Sequence, residues 1–194
     1  MLAQQAFDKI RTLLPKGSSI LDIGSGEESV FNNTQYNVET FDIKGTPTYK
    51  HNYNDFILDK QYDCVWASHI LEHQLNVNDF LKKVGSNLKE DGYLVITVPP
   101  LRQLIVGGHV SVWLPGLLIY NLVLANFDCR NIMIKTYDYN ISAILKKKTI
   151  ELPALKFDRG DLKTLENYFP FGNGINAIDE VNNFQGDFTN LNWN

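Results

Sequence analysis

The chain has 194 residues, of which 44% are hydrophobic and 21% are charged, and its formal net charge is -4. This length suits one domain with a sizeable core, and we predict a single domain over residues 1–194. A weakly acidic chain has no field that attracts nucleic acid or anionic lipid, so we expect neither as a partner.

The cysteines and the apolar runs predict a location. Cys64 and Cys129 both lie in apolar stretches, so we expect buried, reduced thiols. The N-terminal residues lack the basic-then-apolar arrangement of a signal peptide, and no apolar run is long enough to cross a bilayer. The sequence therefore predicts a cytoplasmic protein without a membrane segment.

The first predicted element is an amphipathic helix. Ala6, Phe7, Ile10 and Leu13 recur at helical spacing, and Pro15 follows them. Four later apolar runs are too short for buried helices and rich in β-branched and aromatic residues, so they predict buried strands. They are SSILDIG from Ser18, VETFDI from Val38, YDCVWAS from Tyr62 and YLVITV from Tyr93.

A helix is predicted between the last two strands. Its apolar stripe consists of Val77, Phe80, Leu81, Val84 and Leu88. Strands that alternate with helices predict an α/β fold, a Rossmann-like doubly wound and mostly parallel sheet.

The pattern changes after the fifth strand. The run WLPGLLIYNLVLANF predicts another helix, and NIMIKTYDY with NISAILKKK predicts an antiparallel hairpin that closes the sheet. From about residue 151 the chain is polar, with scattered aromatic residues, and predicts an irregular C-terminal extension over 151–194. The core of the domain is then residues 18–148.

A glycine turn between two acids is the strongest functional signal. Asp22 is near the end of the first strand, Gly24 and Gly26 are in the turn that follows, and Asp42 ends the second strand. Ligands of doubly wound sheets bind at the carboxyl ends of the strands, and an acid at this spacing accepts hydrogen bonds from a ribose. Glu27 and a further glutamate lie where a pyrophosphate would bind, so a phosphate-free nucleoside fits better.

These motifs resemble those of class I S-adenosylmethionine-dependent methyltransferases. Residues 20–26 resemble the glycine-rich first motif of that family, TFDI with Asp42 resembles the second, and YDCVWASHILEH is similar to the motif of the fourth strand. The resemblance covers about residues 18–148. Glu28 stands where the family commonly has a third glycine.

The resemblance implies S-adenosylmethionine as the cofactor and a set of residues that bind it. The set is Asp22, Gly24, Ser25, Gly26, Asp42, Ile43, Asn52, Tyr53 and Ser68. Asp22 would orient the methionine amine, the two glycines would lie under the cofactor, and Asp42 would bind the ribose. Asn52 or Tyr53 would flank the adenine.

Residues 69–73 raise the question of a metal site. They read His-Ile-Leu-Glu-His, the H-x-x-E-H spacing of some zinc proteases. Such a protease needs the motif within a continuous helix and a third ligand from farther along, and neither is visible. We therefore predict no metal, with His69 lining the methyl-transfer pocket and Glu72 and His73 holding the loop through hydrogen bonds.

The acceptor side is expected in the segment GGHVSVW. A methyl transfer to a poorly acidic hydroxyl benefits from a general base, and His109 is the first candidate for this base, with His69 second. Trp113 either stacks on the acceptor or belongs to the core. This segment and the terminal GDFTNLNW loosely resemble methyltransferases of glycan assembly, which favours O-methylation of a sugar hydroxyl.

The predicted sugar site includes aromatic residues of the C-terminal extension. They are Tyr168, Phe169, Phe171, Phe184, Phe188 and Trp193. Two alternatives stay open: a methyltransferase acting on a phenol, quinone or other small metabolite, and a non-catalytic protein that binds the cofactor.

Overall fold

The computed structural model describes residues 3–171 and 186–194. Within them the chain forms one sheet of eight strands with helices on both faces. Strands β1 to β8 are Ser19–Ile23, Asn37–Asp42, Tyr49–Lys50, Tyr62–Ser68, Leu88–Val98, Met133–Tyr137, Asn140–Lys146 and Asn190–Leu191. Helices α1 to α4 are Gln4–Leu13, Val77–Ser86, Pro115–Leu124 and Asp161–Thr164.

The strand order is β3-β2-β1-β4-β5-β7-β6-β8. The first five strands in this order pair in parallel, and β7 then runs antiparallel to both β5 and β6. The doubly wound sheet and its closing hairpin confirm the predicted fold class. The chain order reverses between β1 and β4, and this reversal opens a crevice at the carboxyl ends of the strands.

Two apolar clusters cover the two faces of the sheet. Leu21 and Ile23 of β1 belong to the cluster that also contains α2 and α3, whereas Ile20 belongs to the cluster that contains α1. This division follows from the alternation of side chains along a strand. Because both faces are buried, the strands are continuous apolar runs rather than alternating ones.

One predicted boundary is wrong by a few residues. Leu88 was expected in the second helix but is the first residue of β5, and α2 ends at Ser86. The buried side chain of Asn87 explains the break. Its amide donates to the carbonyls of Leu58 and Lys60, and the chain leaves the helix at this residue.

The C-terminal extension packs on the core. Leu165, Phe169 and Leu191 are at most 2% exposed and join the cluster of α2 and α3, while Trp193 packs against α1. Strand β8 extends the sheet beside β6. The described part of the extension is therefore more ordered than its polar composition indicated. Phe184 of the predicted sugar site lies outside the described ranges.

In the described part of the chain, no helix combines the length and the apolar character that a membrane crossing requires. Cys64 and Cys129 are both buried and free of disulfides, as expected. Burial raises the pKa of both thiols above the ordinary range of cysteine.

Candidate functional site

A first cavity of about 800 Å³ lies at the carboxyl ends of β1 and β2. Gly24 and Asp42 line its mouth, and the apolar side chains of Ile23, Phe41 and Phe80 contribute to its walls. The crevice at the strand reversal thus combines an acidic rim with an apolar interior. This combination suits a nucleoside, whose sugar is polar and whose base is flat and apolar on its faces.

The glycine turn brings the backbone close to this cavity. Gly24 has a φ of +77° and donates its N–H to the carbonyl of Phe41 at 2.8 Å. A Cβ atom at Gly24 would lie 3.3 Å from the Ile70 side chain. Both the left-handed conformation and the close contact therefore favour glycine at this position.

Asp42 holds the turn and faces the first cavity. Its Oδ2 accepts the N–H of Gly26 at 2.8 Å, and its Oδ1 accepts the N–H of Lys44 at 2.8 Å. A carboxylate has about four acceptor positions, so the half-buried group still has capacity for hydroxyl groups of a ligand.

The loop after β3 forms another side of the first cavity. Tyr53 is buried and donates its hydroxyl hydrogen to Asn87 Oδ1 at 2.7 Å. Lys83 donates to the carbonyls of Asn54 and Phe56, and its Nζ lies 4.9 Å from the centre of the Tyr53 ring. Lys83 was not identified from the sequence, because a lysine on a helix usually indicates an exposed surface.

Several expected cofactor residues come together, and others do not. Gly24, Asp42, Ile43, Asn52 and Tyr53 all line the first cavity. Ser25, Gly26 and Ser68 are not part of its lining. Gly26 still contributes indirectly, because its N–H is held by the Asp42 carboxylate.

Asp22 lies behind the glycine turn and not in the first cavity. Its side chain is 2% exposed, and its Oδ2 accepts a hydrogen bond from Ser29 Oγ at 2.6 Å. Strand alternation places Asp22 on the same face as Ile20, towards α1. Burial, with a contribution from the negative charge of Asp42, raises the pKa of Asp22 to about 6. The structure therefore places this carboxylate outside the lining of the first cavity.

The half-buried His69 and the buried Glu72 form a pair beyond the end of β4. His69 has a φ of +54°, and its Nε2 lies 3.0 Å from Asn140 Oδ1. Its Nδ1 lies 3.3 Å from Glu72 Oε1, yet neither Glu72 oxygen has a hydrogen-bond donor among the described residues. Burial lowers the pKa of the His69 imidazole, but Glu72 and Asn140 outweigh it and hold the pKa above its usual value.

The segment around His109 packs against residues 69–73, which we call the HILEH loop. The N–H of Val110 donates to the carbonyl of Glu72 at 2.9 Å, and His73 Nδ1 lies 2.8 Å from the carbonyl of Gly108. The rings of His73 and His109 are consequently 4.9 Å apart, centre to centre. The expected loop contacts of Glu72 and His73 therefore exist, although the Glu72 contact uses its backbone and not its carboxylate.

A second cavity of about 250 Å³ adjoins this pair of histidines. His109, Arg102 and Tyr139 line it, and so do Ser111 and Trp113. Trp113 is 2% exposed and belongs to the core. In the described ranges, Ser111 Oγ and Trp113 Nε1 are buried without a hydrogen-bond partner. The sequence did not single out Arg102, Ser111 or Tyr139, because nothing in a loop sequence shows which side chains turn inward.

The crevice, the acidic rim and the paired cavities define a doubly wound nucleoside-binding protein with room for a second ligand. Residues 2–133 match the family model described as a methyltransferase domain, so the chain belongs to the methyltransferase domain family. This match confirms the predicted class of enzyme. Comparison with curated protein sequences gave no match.

Solved structures with the same fold include several methyltransferases. A 1,6-didemethyltoxoflavin-N1-methyltransferase from Burkholderia thailandensis, solved with S-adenosylhomocysteine, is 14% identical with a TM-score of 0.61, over 74% of this chain and 76% of that chain. A SAM-dependent methyltransferase from Archaeoglobus fulgidus is 18% identical with a TM-score of 0.59, over 74% of this chain and 95% of that chain. A possible histamine N-methyltransferase from Thermotoga maritima is 13% identical with a TM-score of 0.61, over 76% of this chain and 90% of that chain.

Proposed function

We propose that this enzyme transfers the methyl group of S-adenosylmethionine to a hydroxyl oxygen of a sugar in a glycan. The observation that carries the proposal is the junction of the two cavities. His73 lines the first cavity, His109 lines the second, and their rings are 4.9 Å apart. A donor in the first cavity and an acceptor in the second would therefore meet at these histidines.

The first cavity fits the cofactor through groups that are present in this chain. Asp42 would accept the ribose hydroxyls, Gly24 would allow close approach of the ligand, and Phe41 with Phe80 would pack against the adenine. Asn52 lies at the mouth and can bond to the edge of the base. S-adenosylmethionine, when bound, supplies an electrophilic methyl group.

The task of the protein is to position the acceptor in line with the methyl group. Such positioning supplies much of the rate acceleration in a displacement reaction. In the second cavity Ser111 Oγ and Trp113 Nε1 are buried and unpaired among the described residues. Buried polar groups usually have a partner, and a ligand with several hydroxyl groups would supply partners for both.

A second acceptor class is favoured by the rim of the second cavity. Leu104 and Ile105 line it and are 56% and 100% exposed, and Val110 is 54% exposed. An apolar rim suits a phenol or quinone-derived hydroxyl compound better than a free sugar. The aromatic residues of the extension do not decide the question, because Phe169 and Trp193 are buried in the core and do not line the cavity.

Cofactor binding is tested by calorimetry with S-adenosylhomocysteine. We expect micromolar affinity, or about 8 kcal/mol, for the unaltered protein. Asp42→Ala should weaken binding by roughly 10- to 100-fold, since hydrogen bonds to a charged acceptor are worth about 1.5–3 kcal/mol. Asp42→Asn should be intermediate, and Asp59→Ala, at an exposed site outside the cavity, should bind normally. Equal binding by all four proteins would remove Asp42 from the ribose site.

Acceptor class is tested by mass spectrometry after incubation with S-adenosylmethionine and two matched panels. One panel contains sugars and short glycans, and the other contains phenols and reduced quinones. A gain of one methyl group on a sugar hydroxyl is expected. Methylation confined to the phenol panel would transfer the assignment to the second class, and cofactor binding without any turnover would favour the non-catalytic alternative.

A further inference from the structure

We propose that Glu72, His73 and His109 form a binding site for a divalent transition-metal cation between the two cavities. Each residue offers one ligand atom, and these atoms lie within 4.8 Å of one another. A tetrahedral zinc ion with bonds of about 2.0–2.2 Å separates its ligand atoms by about 3.3–3.6 Å. Small side-chain rotations therefore bring the three groups into coordination distance.

The state of Glu72 is the second observation that indicates a ligand. Its side chain is 1% exposed, and both oxygens lack a hydrogen-bond donor among the described residues. His69 Nδ1 lies 3.3 Å from Oε1, whereas Oε2 has no partner in the described part of the chain. A buried carboxylate oxygen without a hydrogen bond is unfavourable unless it binds a cation. A cation beside Glu72 would remove this deficit.

His73 is held in the form that binds metals. Its Nδ1 lies 2.8 Å from the carbonyl of Gly108, and a carbonyl can only accept, so Nδ1 carries the hydrogen. Nε2 is then the nitrogen with the available lone pair. A histidine that donates one ring N–H to a carbonyl while the other nitrogen binds the cation is the usual arrangement in metal sites.

The approach of the two loops brings in the third ligand. Gly108 has a φ of +82°, and a Cβ atom there would lie 3.1 Å from His73 Nδ1. The bond from the Val110 N–H to the Glu72 carbonyl holds the other side of His109. His109 is therefore fixed against the HILEH loop from both sides. The expectation of no metal depended on the lack of a third ligand, and this docking supplies one.

The ligand types select the class of cation. Two imidazoles and one carboxylate suit zinc and related first-row metals, whereas magnesium and calcium prefer oxygen ligands throughout. Three protein ligands leave one position open, and His109 also lines the second cavity. Given the proposed function, that position would take the acceptor hydroxyl and make it more acidic. His109 would then act as a ligand and not as a free base.

The test measures metal binding directly, by calorimetry of the chelator-treated full chain with Zn²⁺, Mn²⁺ and Mg²⁺. One equivalent of Zn²⁺ should bind, and Mg²⁺ should bind at least about 100-fold more weakly. Glu72→Gln, His73→Gln and His109→Gln should each weaken Zn²⁺ binding by at least about 100-fold. His51→Gln, which changes an imidazole outside the cluster, should leave Zn²⁺ affinity unchanged.

A second measurement covers the case in which Glu72→Gln does not fold. Co²⁺ added to the unaltered protein should give the visible absorption of a four-coordinate site, and His109→Gln, on an exposed loop, should abolish it. Equal Zn²⁺ affinity in the unaltered protein and His109→Gln would overturn the proposal, and so would preferred binding of Mg²⁺. Zinc binding without methyl transfer would refute only the proposed function, whereas chelator-resistant turnover without zinc binding would refute only the metal site.

Discussion

The buried carboxyl group of Asp22 gives the protein a pH-dependent stability at the scale of one residue. Burial raises its pKa from 3.8 to about 6, so the folded state retains a proton that the unfolded state releases at lower pH. This contribution is fully present below about pH 4 and is lost as the pH rises through 6. A shift of about two units corresponds to at most about 3 kcal/mol.

Asp22→Asn should remove this dependence, because an amide oxygen can still accept the Ser29 hydrogen bond without carrying a charge. Relative to the unaltered protein, the variant should gain stability between pH 4 and pH 7, up to about 3 kcal/mol. Urea denaturation of both proteins at each pH measures the difference between their free energies of unfolding. The titrations of other groups affect both proteins equally and cancel in this difference. A difference that does not vary with pH would contradict the raised pKa.

Residue positions were predictable from the sequence only where the backbone determines them. A strand end and its turn fix the positions of Gly24 and Asp42, and both residues line the first cavity. The direction of Asp22 was not predictable, since a strand buried on both faces gives no alternation to interpret. The meeting of His73 and His109 depends on the docking of two loops, and loop docking has no periodic signal in the sequence.

At the scale of elements, β8 contributes to the stability of the sheet. Leu191 is 1% exposed, pairs with Ile134 and belongs to the cluster of α2 and α3. Leu191→Ala should lower the free energy of unfolding by about 2–4 kcal/mol. The adjacent Asn190→Ala, at an exposed position, should change it by less than about 0.5 kcal/mol. Similar unfolding midpoints for the two variants in urea would show that β8 adds little.

This packing changes the expected effect of shortening the chain. If the extension only formed the sugar site that the sequence predicts, removal of residues after Lys148 would impair acceptor turnover more than cofactor binding. The structure places Leu165, Phe169 and Leu191 of that segment in the core, so its removal should destabilise the whole protein. Aromatic residues in a polar segment fit either a binding surface or a core, and composition alone does not separate these possibilities.

At the scale of the whole molecule, the two cysteines report on opposite faces of the sheet. Cys64 lies in the cluster with α1, Cys129 lies in the cluster with α2 and α3, and both are 0% exposed. In Cys64→Ala and Cys129→Ala variants, the remaining thiol should react with a thiol reagent only on global unfolding. Both variants should therefore label at one common rate that rises with urea. Faster labelling of Cys129 alone would show that its face opens separately.

The overall architecture was the part that the sequence predicted best. Each strand is a compact apolar run, and the helix between β4 and β5 has a clear stripe, so local patterns and the global fold agree. The exceptions are β3 and β8, which have two residues each and are too short to produce a pattern. They are stabilised by pairing with β2 and β6, respectively.

The position of β7 between β5 and β6 has a consequence during translation. Leu94, Val95, Ile96 and Val98 of β5 are at most 1% exposed, and β7 is the strand that pairs with them on one side. A nascent chain that has not yet reached Asn140 therefore presents an apolar strand with an open edge, a form prone to join other chains. Ribosomes that stop before this point should release products that aggregate, whereas chains continued through Lys146 can cover the edge themselves.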